Sequence, residues 1–177
     1  KSKRLAEVFM EQKGLSEGKN VYILRPWMIY GKGNKGNLNS LYRYVKSGWP
    51  YLFGAYSNRR SFLSADNLNF ILREFLENVH PSGIYHLADD GPLSTNELVA
   101  LIASSLSRKP RIWNIPVSLI EPLSKMGSFF RLPSVRLKQK LTESLMVSTV
   151  KLKHVLRKPL PVDSKAGLLT TLRSFDE

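Results

Sequence analysis

Val21-Tyr22-Ile23-Leu24-Arg25-Pro26, followed by Ile29-Tyr30-Gly31-Lys32-Gly33, decides how this chain folds. Val21 to Leu24 form a short, β-favouring apolar run, the signature of a buried strand. Pro26 has no N–H for a ladder, which predicts that the strand stops at Arg25-Pro26. Upstream, Leu5, Val8, Phe9 and Gln12 fall at helical spacing over residues 1–13, with Gly14 as a stop. Downstream, a glycine-rich loop over 31–37 leads into a helix whose Leu38, Leu41, Tyr42 and Val45 share one face and which ends at Gly48. Arg60 to Ser64 reads as a short strand. Asp66 is the expected cap of a helix carrying Leu68, Ile71, Leu72, Phe75 and Leu76. Gly83 to Ala88 reads as a second buried strand, and Ser94-Thr95-Asn96-Glu97 is a capping box that opens a helix with Leu98, Leu101, Ile102 and Leu106. Helices and strands alternating over short links predict an α/β fold with parallel strands.

The texture changes near Lys109, so the chain divides into parts 1–107 and 108–177. Residues 110–116 read as one strand. After it the pattern is helical over 117–130, 134–142, 148–156 and 163–175, with Ser148 and Asp163 as N-caps. Charge divides similarly: residues 1–102 carry 13 basic and 9 acidic side chains, residues 103–177 carry 14 and 5. The absence of cysteine excludes disulfides, thiolate metal sites and a cysteine nucleophile. His80, His86 and His154 lack ligand spacing, so no metal site is expected. No apolar run approaches the roughly 18–20 residues of a membrane span. Lys1-Ser2-Lys3-Arg4 precedes a helical pattern and not a signal-peptide core, which points to the cytoplasm. Lys1 in place of a methionine fits a processed chain or a piece of a longer one.

Five segments in order carry chemistry. They are Ser2-Lys3-x-x-Ala6-Glu7 on the first helix; Leu24-Arg25-Pro26 with Tyr30-Gly31-Lys32-Gly33; Arg60, Phe62 and Asp66; Tyr85-His86-Leu87 before Ser94 to Leu98; and Leu141 to Val147 with Lys151 to Leu156. Together they resemble the C-terminal half of an extended short-chain dehydrogenase/reductase, the family of NAD-dependent nucleotide-sugar epimerases, dehydratases and reductases. The likeness runs along nearly the whole chain. It implies the C-terminal portion of a Rossmann-type parallel sheet joined to a basic, helix-rich substrate-binding region.

The resemblance also implies roles. The family's catalytic pair is Tyr-x-x-x-Lys; Lys3 matches the lysine, and the tyrosine would lie two residues before Lys1. Lys3 would then be catalytic, favouring the phenolate and holding the nicotinamide ribose. Arg25 and Pro26 would border the cofactor, NAD or NADP. Tyr30, Asn37, Leu38, Arg60 and Asp66 would meet a nucleotide-sugar substrate, with the Arg60 guanidinium on its pyrophosphate. The implied parent is an NAD(P)-dependent nucleotide-sugar epimerase of the UDP-glucose 4-epimerase type, with a UDP-4-keto-sugar reductase as the alternative. Met28 stands where galactose 4-epimerases tend to carry an asparagine, which leaves room for the reductase. The glycine-rich dinucleotide loop is not in these 177 residues, so they are expected to be inert without a missing N-terminal half. A homodimer is a further family expectation.

Plainer readings stand beside these. Lys3 and Arg60 could be surface charges, Tyr30 core filling, the loop glycines turn formers, Asp66 a helix cap, and His86 a satisfied core histidine. A basic binding module is the rival from another class. The basic, apolar-interleaved stretch 134–141 would suit weak association with an anionic membrane, whereas no nucleic-acid-binding signature accompanies the charge.

Overall fold

The structure is a computed structural model that describes residues 2–12, 19–116, 118 and 143–176. Six helices and four strands follow in the order α1 (Ser2–Gln12), β1 (Tyr22–Pro26), β2 (Ile29–Tyr30), α2 (Asn37–Lys46), β3 (Leu63–Ser64), α3 (Ala65–Glu77), β4 (Gly83–Leu87), α4 (Thr95–Ser105), α5 (Val150–Leu156) and α6 (Ser164–Arg173). The expected alternation and the parallel pairing are both present. β1 runs parallel to β4, Tyr22 opposite Gly83 through Pro26 opposite Leu87. β2 runs parallel to β3.

The strand ends at Pro26 as expected, with Pro26 opposite Leu87. The Trp27 N–H, not residue 26, donates to the Leu87 carbonyl at 2.9 Å, so the proline's missing donor costs this ladder nothing. The strand expected over 60–64 shrinks to Leu63–Ser64, and Arg60 makes single bridges to Leu93 and Leu145. The strand expected over 110–116 is likewise reduced to two bridges, Tyr51 with Ile112 and Phe53 with Asn114. Pro110 and Pro116 lack N–H donors at both ends. At Gly54 the partner segment passes so close that a Cβ there would lie 2.9 Å from the Trp113 carbonyl oxygen.

Two apolar clusters hold these elements. Tyr30, Leu41, Tyr51, Phe62, Ile102 and Leu168 belong to the first; Leu63, Ile71, Phe75, Tyr85, Leu87 and Leu152 belong to the second. Each burial of this kind contributes about 1.5–3 kcal/mol. Residues on both sides of 107/108 share both clusters. On α3 the inward positions are Asn67, Ile71 and Phe75, while Leu72 and Leu76 point outward. α1 likewise leaves Leu5, Val8 and Phe9 exposed.

Helix starts follow local hydrogen bonding. Ser64, not Asp66, caps α3: its hydroxyl accepts from the N–H groups of Asp66 and Asn67. Asp66 sits one step inside, exposed, where its charge complements the helix dipole. Thr149 precedes α5 without a side-chain cap bond, so Ser148 does not cap it, whereas Asp163 caps α6 as expected. The reciprocal capping box of Ser94 and Glu97 forms in full. Ser94→Ala should cost about 1 kcal/mol in urea unfolding. The Ser94 N–H pulls the Glu97 pKa below its ordinary 4.5. Glu97 therefore stabilises the fold above that pH, a contribution lost as pH falls through its lowered folded pKa; Glu97→Gln should remove that slope. The helices expected over 117–130 and 134–142 lie, apart from Ser118, outside the described residues.

Candidate functional site

The carboxyl ends of β1 and β4 lie side by side, the edge of a parallel sheet at which ligands are commonly held. α1 is tied to this edge by one ion pair. Glu7 accepts two bonds from the Arg25 guanidinium, at 2.5 and 3.1 Å, and this holds its carboxyl below the usual range. Lys3 is exposed and lies one turn before Glu7 on the same helix face, about 5–6 Å away between Cβ atoms. Pro26 is exposed at the strand's end. Arg25 and Pro26 stand together at this edge, and through Glu7 the Arg25 guanidinium anchors the helix that carries Lys3.

The residues expected on the substrate separate into three groups. Tyr30 is 2% exposed, and its hydroxyl donates to Asp89 Oδ2 at 2.7 Å. Burial, then this bond to Asp89, pushes its pKa far above the ordinary tyrosine value. Leu38 is buried in the first cluster. Tyr30 and Leu38 thus turn their side chains into the core. Asn37 and Asp66 are exposed at the first turns of α2 and α3.

Arg60 is the third group. It is 5% exposed, and its Nη2 donates to the Glu143 carbonyl at 3.1 Å. Burial draws its pKa down from the ordinary value, but arginine keeps its charge in proteins. Residues 143–147 run alongside it as a strap. Leu145 N–H donates to the Arg59 carbonyl, Ser61 N–H to the Leu145 carbonyl, and Trp27 Nε1 also to the Leu145 carbonyl at 3.2 Å. A buried, fixed guanidinium beside the strap is suited to a phosphate or diphosphate.

Three supporting residues were not singled out from sequence. Asp89, one step beyond Ala88 after β4, accepts from Tyr30, from the Ser64 N–H and from Asn67 Nδ2. Asn67 also bonds the Val162 carbonyl and N–H, and Trp27 pins the strap. Asp89 was findable as an acid directly after a buried strand; Asn67 and Trp27 left no local signal. His86, read as satisfied, has a buried Nδ1 with no hydrogen-bond partner among the described residues. Among the described residues no group of histidine and acidic side chains could hold a metal, and no helix is long and apolar enough to cross a membrane.

The described strands form two parallel pairs in an α/β fold; α1 is tied to the first by the Glu7–Arg25 ion pair, and the buried Arg60 lies just before the second strand of the other. No family model matches the chain. It is 31% identical over 176 residues to UDP-glucose 4-epimerase of Vibrio cholerae, covering 98% of this chain and 52% of that protein. It is 30% identical over 130 residues to N-acetyl-α-D-glucosaminyl-diphospho-ditrans,octacis-undecaprenol 4-epimerase of Escherichia coli O157:H7, covering 68% of this chain and 39% of that protein. The crystal structure of WbmG of Bordetella bronchiseptica in complex with NAD and UDP superposes with a TM-score of 0.66 at 16% identity, over 99% of this chain and 49% of that one. The chain is a homologue of the nucleotide-sugar 4-epimerases of the extended short-chain dehydrogenase/reductase family. It spans about half the length of the curated relatives it matches.

Proposed function

We propose that this chain is the substrate-binding part of an NAD-dependent nucleotide-sugar 4-epimerase. The observation that carries the reading is the 31% identity to a UDP-glucose 4-epimerase running along 98% of the chain. The edge at Pro26 fits the nicotinamide end of a dinucleotide: an exposed, donor-free ring lies at the carboxyl end of a parallel strand, and the exposed Lys3 is carried on the helix that the neighbouring Arg25 anchors through Glu7. When bound, the nicotinamide takes up and returns a hydride at C4 of the sugar. Lys3 lowers the pKa of a tyrosine that exchanges a proton with the C4 hydroxyl, since a nearby ammonium favours a phenolate. Glu7 and Arg25 hold α1, and with it Lys3, in place. Arg60 binds the substrate diphosphate, and Asn37 meets the nucleotide at the start of α2. The 177 residues alone do not turn over, because no glycine-rich dinucleotide loop is among them.

Titrating UDP into the full-length protein tests the substrate half of this reading. Arg60→Lys keeps the charge but loses the planar fork, and should weaken UDP binding about 10–100-fold. Unchanged affinity in a correctly folded variant would remove Arg60 from the site. A second reading, a 4-keto-sugar reductase on the same scaffold, draws on Met28. Its side chain packs against the first cluster and presents no amide to a sugar. Stoichiometric consumption of NADH or NADPH with a 4-keto sugar, without epimerisation, is its mark.

A further inference from the structure

At the C-terminal end of α2 the surface changes character. Trp49 is 44% exposed and Trp113 57%. Ile112 bridges Tyr51 and packs against the first cluster, so its neighbours Arg111 and Trp113 face the other way, outward. Arg108 Nη1 donates to the Lys46 carbonyl at 2.8 Å and Arg111 Nη1 to the Gly48 carbonyl at 3.2 Å. These bonds fix two guanidinium groups where helix carbonyls favour cations. Between them lies a cavity of about 330 Å³, floored by Val45, Val99 and Ala103 and rimmed by Arg108, Lys109 and Arg111. No Asp or Glu occurs between Glu97 and Glu121. Asp176, at the same end of α2, is taken up by Lys46 and Tyr42.

From this face we infer a docking surface for an anionic lipid bilayer. A soluble anion would use the cations and leave both indoles in water. A bilayer uses both groups: exposed tryptophans settle among headgroups, and Lys and Arg are drawn to anionic lipid. A net charge of +13 steers the approach. The inference is independent of the catalytic reading, since every residue in it lies at the opposite end of α2 from Asn37.

Flotation of the full-length protein with vesicles tests it. Binding is expected to phosphatidylcholine vesicles containing phosphatidylglycerol and not to pure phosphatidylcholine, and to fall with added salt. Lys109→Gln should weaken partitioning about fivefold. Trp113→Ala, at an exposed position, should weaken it as well and reduce tryptophan quenching by brominated lipid. Absence of binding to phosphatidylglycerol vesicles at low salt would overturn the inference. So would binding that survives both substitutions but is lost on neutralising Arg136, Lys138 and Lys140, or a face that takes up inorganic phosphate or an acidic peptide and leaves vesicles alone.

Discussion

Lys3→Ala in the full-length protein should lower epimerase turnover about 10²–10⁴-fold, the range that a general acid–base group commands. Lys3 is exposed on α1, so its loss should leave the fold intact. With the ammonium gone, the partner tyrosine regains a higher pKa, and the residual activity should rise toward alkaline pH. Lys3→Arg keeps a cation there and should recover part of the rate. Turnover within a few-fold of wild type in Lys3→Ala would contradict the role. Glu7→Gln separates positioning from chemistry: it loosens α1 from Arg25 and so displaces Lys3 without removing its charge, and should lower turnover by less than Lys3→Ala does.

Asp89→Ala should destabilise the fold by about 3–5 kcal/mol in urea unfolding. Its carboxyl is buried and accepts from Tyr30, from the Ser64 N–H and from Asn67, at 2.7–3.0 Å. Removing it strands donors from β2, from the start of α3 and from within α3 at once. Against a typical total stability of 5–15 kcal/mol this is a large share. Burial, partly opposed by the three donors, raises the Asp89 pKa above its ordinary 3.8. A carboxyl that holds its proton more tightly when folded favours folding at acid pH, and that contribution is lost as pH rises through its folded pKa. A loss below about 1 kcal/mol would mean that the network relaxes around the gap.

The long periodic segments were legible because one physical signal dominates each. The apolar runs of β1 and β4 and the Ser94 capping box form where expected, since hydrophobic alternation and local hydrogen bonds both act at short range. The family pattern around Lys3, Arg25 and Arg60 was legible for a different reason, as ordered residues at set spacings. What failed depended on partners distant in sequence. Arg60 and Leu145 pair across more than eighty residues to give a bridge and not a strand. Tyr30 and Leu38 sit in motifs that meet ligands in the family, but which way each side chain turns is settled by Asp89, Ser164 and the packing of α2 against α4. Leu72 and Leu76 share the apolar pattern of α3, yet the helix turns Asn67, Ile71 and Phe75 inward and leaves them facing out.

The central claim is C4 epimerisation of a nucleotide sugar. The most direct test is to incubate the full-length protein with NAD and UDP-glucose, and separately with UDP-N-acetylglucosamine, and to follow the C4 epimer by proton NMR. At least one substrate should reach a two-way equilibrium with its C4 epimer at catalytic amounts of NAD, with no net change in nicotinamide redox state. No interconversion of either sugar by a protein that binds NAD and UDP, or product formed only with stoichiometric oxidation of NADH or NADPH, would contradict it.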